Sequence, residues 1–287
     1  MPLLDGGYGW LLQERGLEAG VPAELWNLTN PEGIAGLHEE YAAAGSTILT
    51  TNTFGATAPR LAGYDLAERG SEVAEQGAAI ARAVADRHGI LVAGDIGPTG
   101  ELLEPLGTLT VDEAVELFAA QIKGMLRGGI DLILIETMSD LEESKAAITA
   151  ARREAPDLPI IATMSFDTNL RTMMGVTPAA AVAALSEAGA DAVGANCGRG
   201  PEEMTQIAAS LVSARPEGLL LIAQSNAGLP QISGDGFAYT VDPAGMAAHA
   251  VELRGAALTY WARAAGRHLS TSQRWLRPSN KRLLTGT

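Results

Sequence analysis

A (β/α)₈ barrel is the fold the sequence predicts, and three observations carry that prediction. Short apolar, β-branched runs recur along the chain, alanine-rich stretches with helical spacing separate them, and no linker or compositional break divides the 287 residues. The runs are "STILTTNTFG" from 46, "GILVAGDIGP" from 89, "DLILIETMS" from 131, "PIIATMSFD" from 159, "DAVGANCG" from 191 and "GLLLIAQSNAG" from 218. Each reads as a strand buried on both faces. "DEAVELFAAQIKGMLRGG" and "PAAAVAALSEAGA" typify the helices between them. With the N-terminal "PLLDGG" the count reaches seven strand–helix units. The alternative is an open doubly wound sheet, which needs a glycine-rich phosphate loop after its first strand; "DGGYGW" does not supply one.

Composition narrows the function. A formal net charge of −14 opposes binding to nucleic acid or to an anionic membrane surface. No apolar run approaches the roughly 18 residues of a membrane span. Met1 leads directly into "PLLDGGYGW" without a basic and apolar leader, so the cytoplasm is the expected compartment. One cysteine excludes a disulfide within the printed chain.

Polar or reactive residues stand where each strand runs out: Asp5, Asn52, Asp95, Glu136, Asp167, Cys197 and Asn226. In a barrel such positions converge on the C-terminal face, where catalytic groups sit. Asp and Asn also simply begin loops, and for any single residue both readings stay open. His38 and His88 fall in helical segments and His249 in the helix after the seventh strand, so they read as surface or helix residues rather than ligands. With no histidine at a strand end, a serine or cysteine hydrolase dyad is not expected.

Seven segments, "LLDGGYGWLLQERG", "TNPEGIAGLHEEYAAAGSTILTTNTFG", "AGDIGPTGELLEPLG", "LIETMSDLEESKAAI", "TMSFDTNLRTMMGVTP", "GANCGRGPEEM" and "SNAGLP", together resemble the homocysteine S-methyltransferase family, in order, from about residue 3 to 253. The resemblance implies a barrel that binds homocysteine and a zinc ion at its strand ends and makes methionine. Zinc would strip the proton from a thiol whose pKa is about 8.5 and leave a usable thiolate. By the same resemblance Cys197 is a zinc ligand, Asp5 and Glu136 hold the substrate ammonium, and amides near Gly6 and Gly7 take its carboxylate. Asn196 and Asn226 are pocket or supporting residues. Trp26 sits where betaine-using members place an aromatic against the donor's onium group, and it reads equally as a loop anchor. Asp167 and Arg171 are expected to pair and organise a loop. The methyl donor is betaine or another onium compound, or a separate methyl-cobalamin protein.

The family's other two zinc ligands are adjacent cysteines in a motif close to "GGCCGTTP" after the eighth strand, which this chain lacks. After Leu253 it reads "RGAALTYWARAAGRHLSTSQRWLRPSNKRLLTGT", basic and without cysteine. Codons legal for Ala256 to Trp275 can be chosen so that, read from the last base of the first, they spell GAHLLGACCGTTPEHIAAM. Two bases of each shifted codon are fixed by the printed residues, except at Leu, Arg and Ser. The sequence therefore predicts a family barrel over 1–253 and, over 254–287, a tail displaced by a frame slip near Arg254. Eighth strand and last helix would be altered, exposed edges would remain, zinc would bind weakly and activity would be impaired. A genuine divergent tail is the alternative. Two other functions also stay open: a non-catalytic amino-acid-binding barrel without its zinc site, and a different barrel enzyme using Asp95, Glu136 or Asp167 as acid or base.

Overall fold

The computed structural model describes residues 3–233, 236–255 and 260–261. Six parallel strands alternate with helices, as the apolar runs predict: β1 (Ile48–Thr50), β2 (Leu91–Ile96), β3 (Leu132–Met138), β4 (Ile160–Met164), β5 (Ala192–Cys197) and β6 (Leu220–Ser225). Before β1 lie α1 (Gly9–Glu14), a 3₁₀ turn (Ala23–Leu25), α2 (Trp26–Thr29) and α3 (Pro31–Ala43). Then come α4 (Ala58–Leu61), α5 (Gly70–His88), α6 (Val111–Gly128), α7 (Leu141–Glu154), α8 (Pro178–Glu187), α9 (Pro201–Ala214) and α10 (Pro243–Gly255).

Local chemistry sets the helix starts. Thr110 and Glu113 form a reciprocal capping box at α6, Asp140 accepts from the amides of Glu142 and Glu143 at α7, and Thr177 caps α8 ahead of Pro178. α5 and α6 stop at Gly89 and Gly129, both in the left-handed region.

The strands form one parallel sheet in the order β1-β2-β3-β4-β5-β6-β9, where β9 is Tyr260–Trp261. The expected first strand is reduced to a bridge between Leu4 and Ile48, because Gly6 and Gly7 follow at once with no side chains to pack. In place of a regular eighth strand, Tyr260 and Trp261 pair in parallel with Ile222 and Ala223 and cover the β6 edge there. Aromatic residues favour strands, and an open edge offers unpaired backbone groups to any extended segment. An antiparallel hairpin, β7 (Pro230–Ser233) with β8 (Gly236–Tyr239), follows β6 and was not apparent in the sequence.

The sheet separates two apolar regions. The larger lies between the strands and the helices and buries Leu49, Val92, Ile133, Ile135, Val193 and Leu221 against side chains such as Phe118 and Ile122. The smaller lies on the other face, where Leu4, Ile48, Ala93, Leu134, Ile161, Ala192 and Ile222 meet. Because side chains alternate along a strand, the residues two positions beyond that inner layer face the same way at the C-terminal ends.

β5 and β6 approach too closely for a side chain at Gly194, where a Cβ would lie 1.9 Å from the carbonyl oxygen of Ile222. Backbone cannot yield as a flexible side chain does. Gly194→Ala is expected to destabilise the protein by about 1–3 kcal/mol, measured as a lowered midpoint in urea unfolding.

Candidate active site

A cavity of about 420 Å³ opens at the C-terminal ends of the strands. Its floor is the residue layer just above the inner apolar core: Thr50 above Ile48, Asp95 above Ala93, Glu136 above Leu134, and Gln224 above Ile222. Asn196 joins them from β5, and Asp5, Gly6 and Gly7 from the N-terminal loop. A larger, shallower groove of about 1100 Å³ lies on the helix side among α4, α6 and α7, where Glu116 and Arg153 pair with one another. The strand-end cavity is the one lined by buried carboxylates, among them Asp5, Glu24 and Asp95.

Asp5 is 3% exposed and surrounded by donors. Its Oδ2 accepts from the Thr50 amide at 2.8 Å and from the Tyr8 hydroxyl, and its Oδ1 accepts from Thr50 Oγ1 at 2.8 Å. Burial nevertheless pushes its pKa up to about 7, with those hydrogen bonds working in the opposite direction. Glu136 is raised by burial and then by the charge of Asp5. Asp95 is raised well above the carboxylate range, first by burial and then by Glu136, Asp5 and Glu24. Asp95 Oδ1 and Gln224 Oε1 are buried acceptors without a hydrogen-bond partner. Such atoms are costly unless a donor arrives.

Glu24 had no signal at a strand end. The 3₁₀ turn brings it to the cavity, because Asn52 donates to the Ala23 carbonyl and to Asn27 Oδ1, both at 2.8 Å. Its carboxylate accepts from the Gly55 amide, while burial raises its pKa. Phe54 supplies an aromatic wall, with the Arg60 guanidinium 5.7 Å from its ring centroid. Thr50 and Gln224 are legible only once the pleat is known.

Cys197 lies at the end of β5, where regular alternation would turn it to the helix side. Its φ of +62° breaks the pleat, and the side chain lines the cavity. Thr137, at φ +61°, is strained likewise. Asn196 ties the two together. Its Oδ1 accepts from the Thr137 amide and Thr163 Oγ1, both at 2.8 Å, and its Nδ2 donates to Thr137 Oγ1 at 2.7 Å and to Cys197 Sγ at 3.3 Å. Burial, then the Glu136 charge, pushes the Cys197 thiol up to about 12.

The remaining candidates lie outside the cavity lining. Trp26 packs against the main core and is not part of the cavity lining, because the short α2 turns its ring inward. Asn226 also stays outside the lining; it donates to the Gly198 carbonyl at 2.8 Å and braces the loop after Cys197. Arg171 donates to the Gly175 carbonyl instead of pairing with Asp167, so backbone contacts hold that loop. His88 meets Glu39 at the surface, whereas His38 and His249 are helix residues buried beside Tyr8 and Thr205. Their helix faces point inward. Among the described residues no group of three His, Cys, Asp or Glu side chains could hold a metal ion. No helix among them is long and apolar enough to cross a membrane.

A cavity walled by carboxylates and one thiol thus lies at the strand ends of a curled parallel α/β sheet, where barrel-type enzymes carry their sites. The chain belongs to the homocysteine S-methyltransferase family, whose sequence profile matches residues 2–269. It is 34% identical to methionine synthase of Mycobacterium tuberculosis and 32% identical to that of Mycobacterium leprae, each over 256 aligned residues. Each alignment covers 83% of this chain and 21% of the relative, so the chain spans about a fifth of their length. The crystal structure of the homocysteine methyltransferase MmuM from Escherichia coli, in a metallated form, shares the fold with a TM-score of 0.78 at 20% identity. That match covers 95% of this chain and 94% of the other.

A thiol whose pKa lies far above neutrality is almost wholly protonated at pH 8, and the thiolate is the reactive form. Since Cys197 is the one cysteine in the sequence, alkylation of the intact protein reads it alone. At pH 8 it is expected to react with iodoacetamide at least about 100-fold more slowly than a free cysteine peptide, measured by mass spectrometry.

Proposed function

We propose that the strand-end cavity binds homocysteine and presents its sulfur to a methyl donor, giving methionine. The observation that carries this reading is the accumulation of Asp5, Glu24, Asp95 and Glu136 around one cavity whose described lining includes no basic side chain. An ammonium group brings the missing positive charge and three donors. In this reading Asp5 and Glu136 hold the ammonium, the amides of Gly6 and Gly7 take the carboxylate, and the side chain extends toward Asn196 and Cys197. Methyl transfer forms a bond from sulfur to the methyl carbon as the donor's bond to that carbon breaks, so in-line positioning is the protein's task. The excess of carboxylates favours a positively charged donor such as betaine. A separate methyl-cobalamin protein is the other candidate. Trp26 carries no donor role here, and Asn226 acts through the Cys197 loop.

The family resemblance implies zinc held by three thiolates. The described residues do not fit that ion, since Cys197 is the sole cysteine of the printed sequence and nothing else of the right chemistry converges on it. No chemical step is therefore assigned to a metal. We propose that residues 1–253 form the homocysteine-binding part of a (β/α)₈ barrel and that residues 254–287 result from a frame slip near Arg254, which altered the eighth strand and removed the paired cysteines. Residues 256–259 and 262–287, where those cysteines are expected, lie outside the described residues. The compartment proposed is the cytoplasm.

Calorimetry tests the ligand. Asp5→Asn and Glu136→Gln are each expected to weaken homocysteine binding at least about tenfold, and unchanged affinity in both would refute the reading. Ammonium binding favours the ionised carboxylate and so lowers the raised pKa of Asp5, releasing a proton. Affinity should rise about tenfold between pH 6 and pH 8 as a group near 7 ionises. A flat or falling profile is the contrary result. For the tail, the nucleotide sequence across codons 254–287 should permit a shifted frame that encodes two adjacent cysteines. Codons incompatible with that frame would leave the printed tail genuine.

A further inference from the structure

Tyr8 Oη has three polar neighbours and one proton: Asp5 Oδ2 in a very short contact, the Thr50 carbonyl oxygen at 3.1 Å and His38 Nδ1 at 3.1 Å. The carbonyl is only an acceptor, and so is an ionised carboxylate. Were His38 Nδ1 a bare lone pair, three acceptors would compete for one hydrogen. A proton on Nδ1 resolves the conflict, because the phenol oxygen then receives one hydrogen bond and gives one. The other ring nitrogen agrees: His38 Nε2 is buried with no partner, which suits an unprotonated nitrogen better than an N–H or a buried cation.

We propose that His38 and Tyr8 are positioning residues, His38 Nδ1–H donating to Tyr8 Oη and Tyr8 O–H donating to Asp5, so that Asp5 meets the ligand as a pure acceptor. This rests on the reading of Asp5 as an ammonium-binding group. The helix face makes the arrangement rigid. His38 and Tyr41 are three residues apart on α3, so they lie side by side. Tyr41 Oη donates to the Gly7 carbonyl at 3.1 Å, and the ring of Tyr8 stands 5.5 Å from that of His38 and 5.7 Å from that of Tyr41. α3 thus grips the loop of Asp5 to Tyr8 at two points. With Tyr8 and both Thr50 donors in place, Asp5 has three of its roughly four acceptor positions filled and one left for an ammonium N–H. Burial holds His38 neutral, with its pKa lowered to about 3, and keeps the Tyr8 phenol protonated.

The test combines a spectroscopic and a binding measurement on the full chain. Carbon and nitrogen shifts of isotopically labelled histidine, assigned by loss of one resonance set in His38→Asn, report the tautomer at about pH 8.5, where Asp5 is ionised. His38 is expected to be neutral with its proton on Nδ1; a proton on Nε2 alone overturns the inference. Calorimetry with homocysteine follows. Tyr8→Phe and His38→Leu should each raise Kd about fivefold or more, while His38→Asn, whose amide N–H stands near the lost Nδ1–H, stays within about twofold of the parent. Parent-like affinity in both Tyr8→Phe and His38→Leu, with Asp5→Asn impaired, refutes the donor chain and leaves the ligand reading intact. Equal affinity of the parent and Asp5→Asn removes that reading, and the inference falls with it.

Discussion

The strict two-residue alternation of a pleated strand, imposed on a curled parallel sheet, is the constraint from which the site follows. Leu4, Ile48, Ala93, Leu134, Ile161 and Ile222 fill the inner face because nothing polar could be satisfied there. Advancing two residues along a strand keeps the direction and changes only the height. Thr50, Asp95, Glu136 and Gln224 therefore arrive together at one cavity floor, and Asn196, four residues beyond Ala192, joins them. Each helix packed on the outer face serves to hold that register.

Such a floor is electrostatically expensive. Carboxylates at Asp5, Glu24, Asp95 and Glu136 lose water on burial, and neighbouring carboxylate charge adds to this at Asp95 and Glu136, so all four proton affinities rise. Burial without a counter-charge is tolerated where a ligand later supplies it. Backbone strain is concentrated at the same place. Thr137 and Cys197 both adopt left-handed conformations, and the Asn196 amide bonds to both residues. Asn196 thus links the geometry of β3 to that of β5 and fixes where the sulfur stands.

The six buried strands and the strand-end positions of Asp5, Asp95, Glu136 and Cys197 were legible in the sequence, because apolar runs and the residues that end them are local signals. Glu24 was not, since a 3₁₀ turn held by the Asn27–Asn52 hydrogen bonds carries it in from outside the strand pattern. His38 read as a surface or helix residue, and its contact with Tyr8 was hidden because a helix shows its spacing but not which face meets a neighbour. Trp26 read equally as a donor contact and as a loop anchor, and it packs half-buried against the main core. The pairing of Tyr260 and Trp261 with β6 arises from an open edge, which depends on the sheet as a whole.

The central claim is that the cavity recognises an amino acid through its ammonium group. Calorimetric titration of the protein with homocysteine and with its deaminated analogue, a thiol acid of the same length without the ammonium, tests this most directly. The account predicts saturable binding of homocysteine and at least about 100-fold weaker binding of the analogue, since a buried carboxylate pair left without its cation forfeits charge-assisted hydrogen bonds. Equal binding of the two compounds, or tighter binding of the analogue, would contradict it.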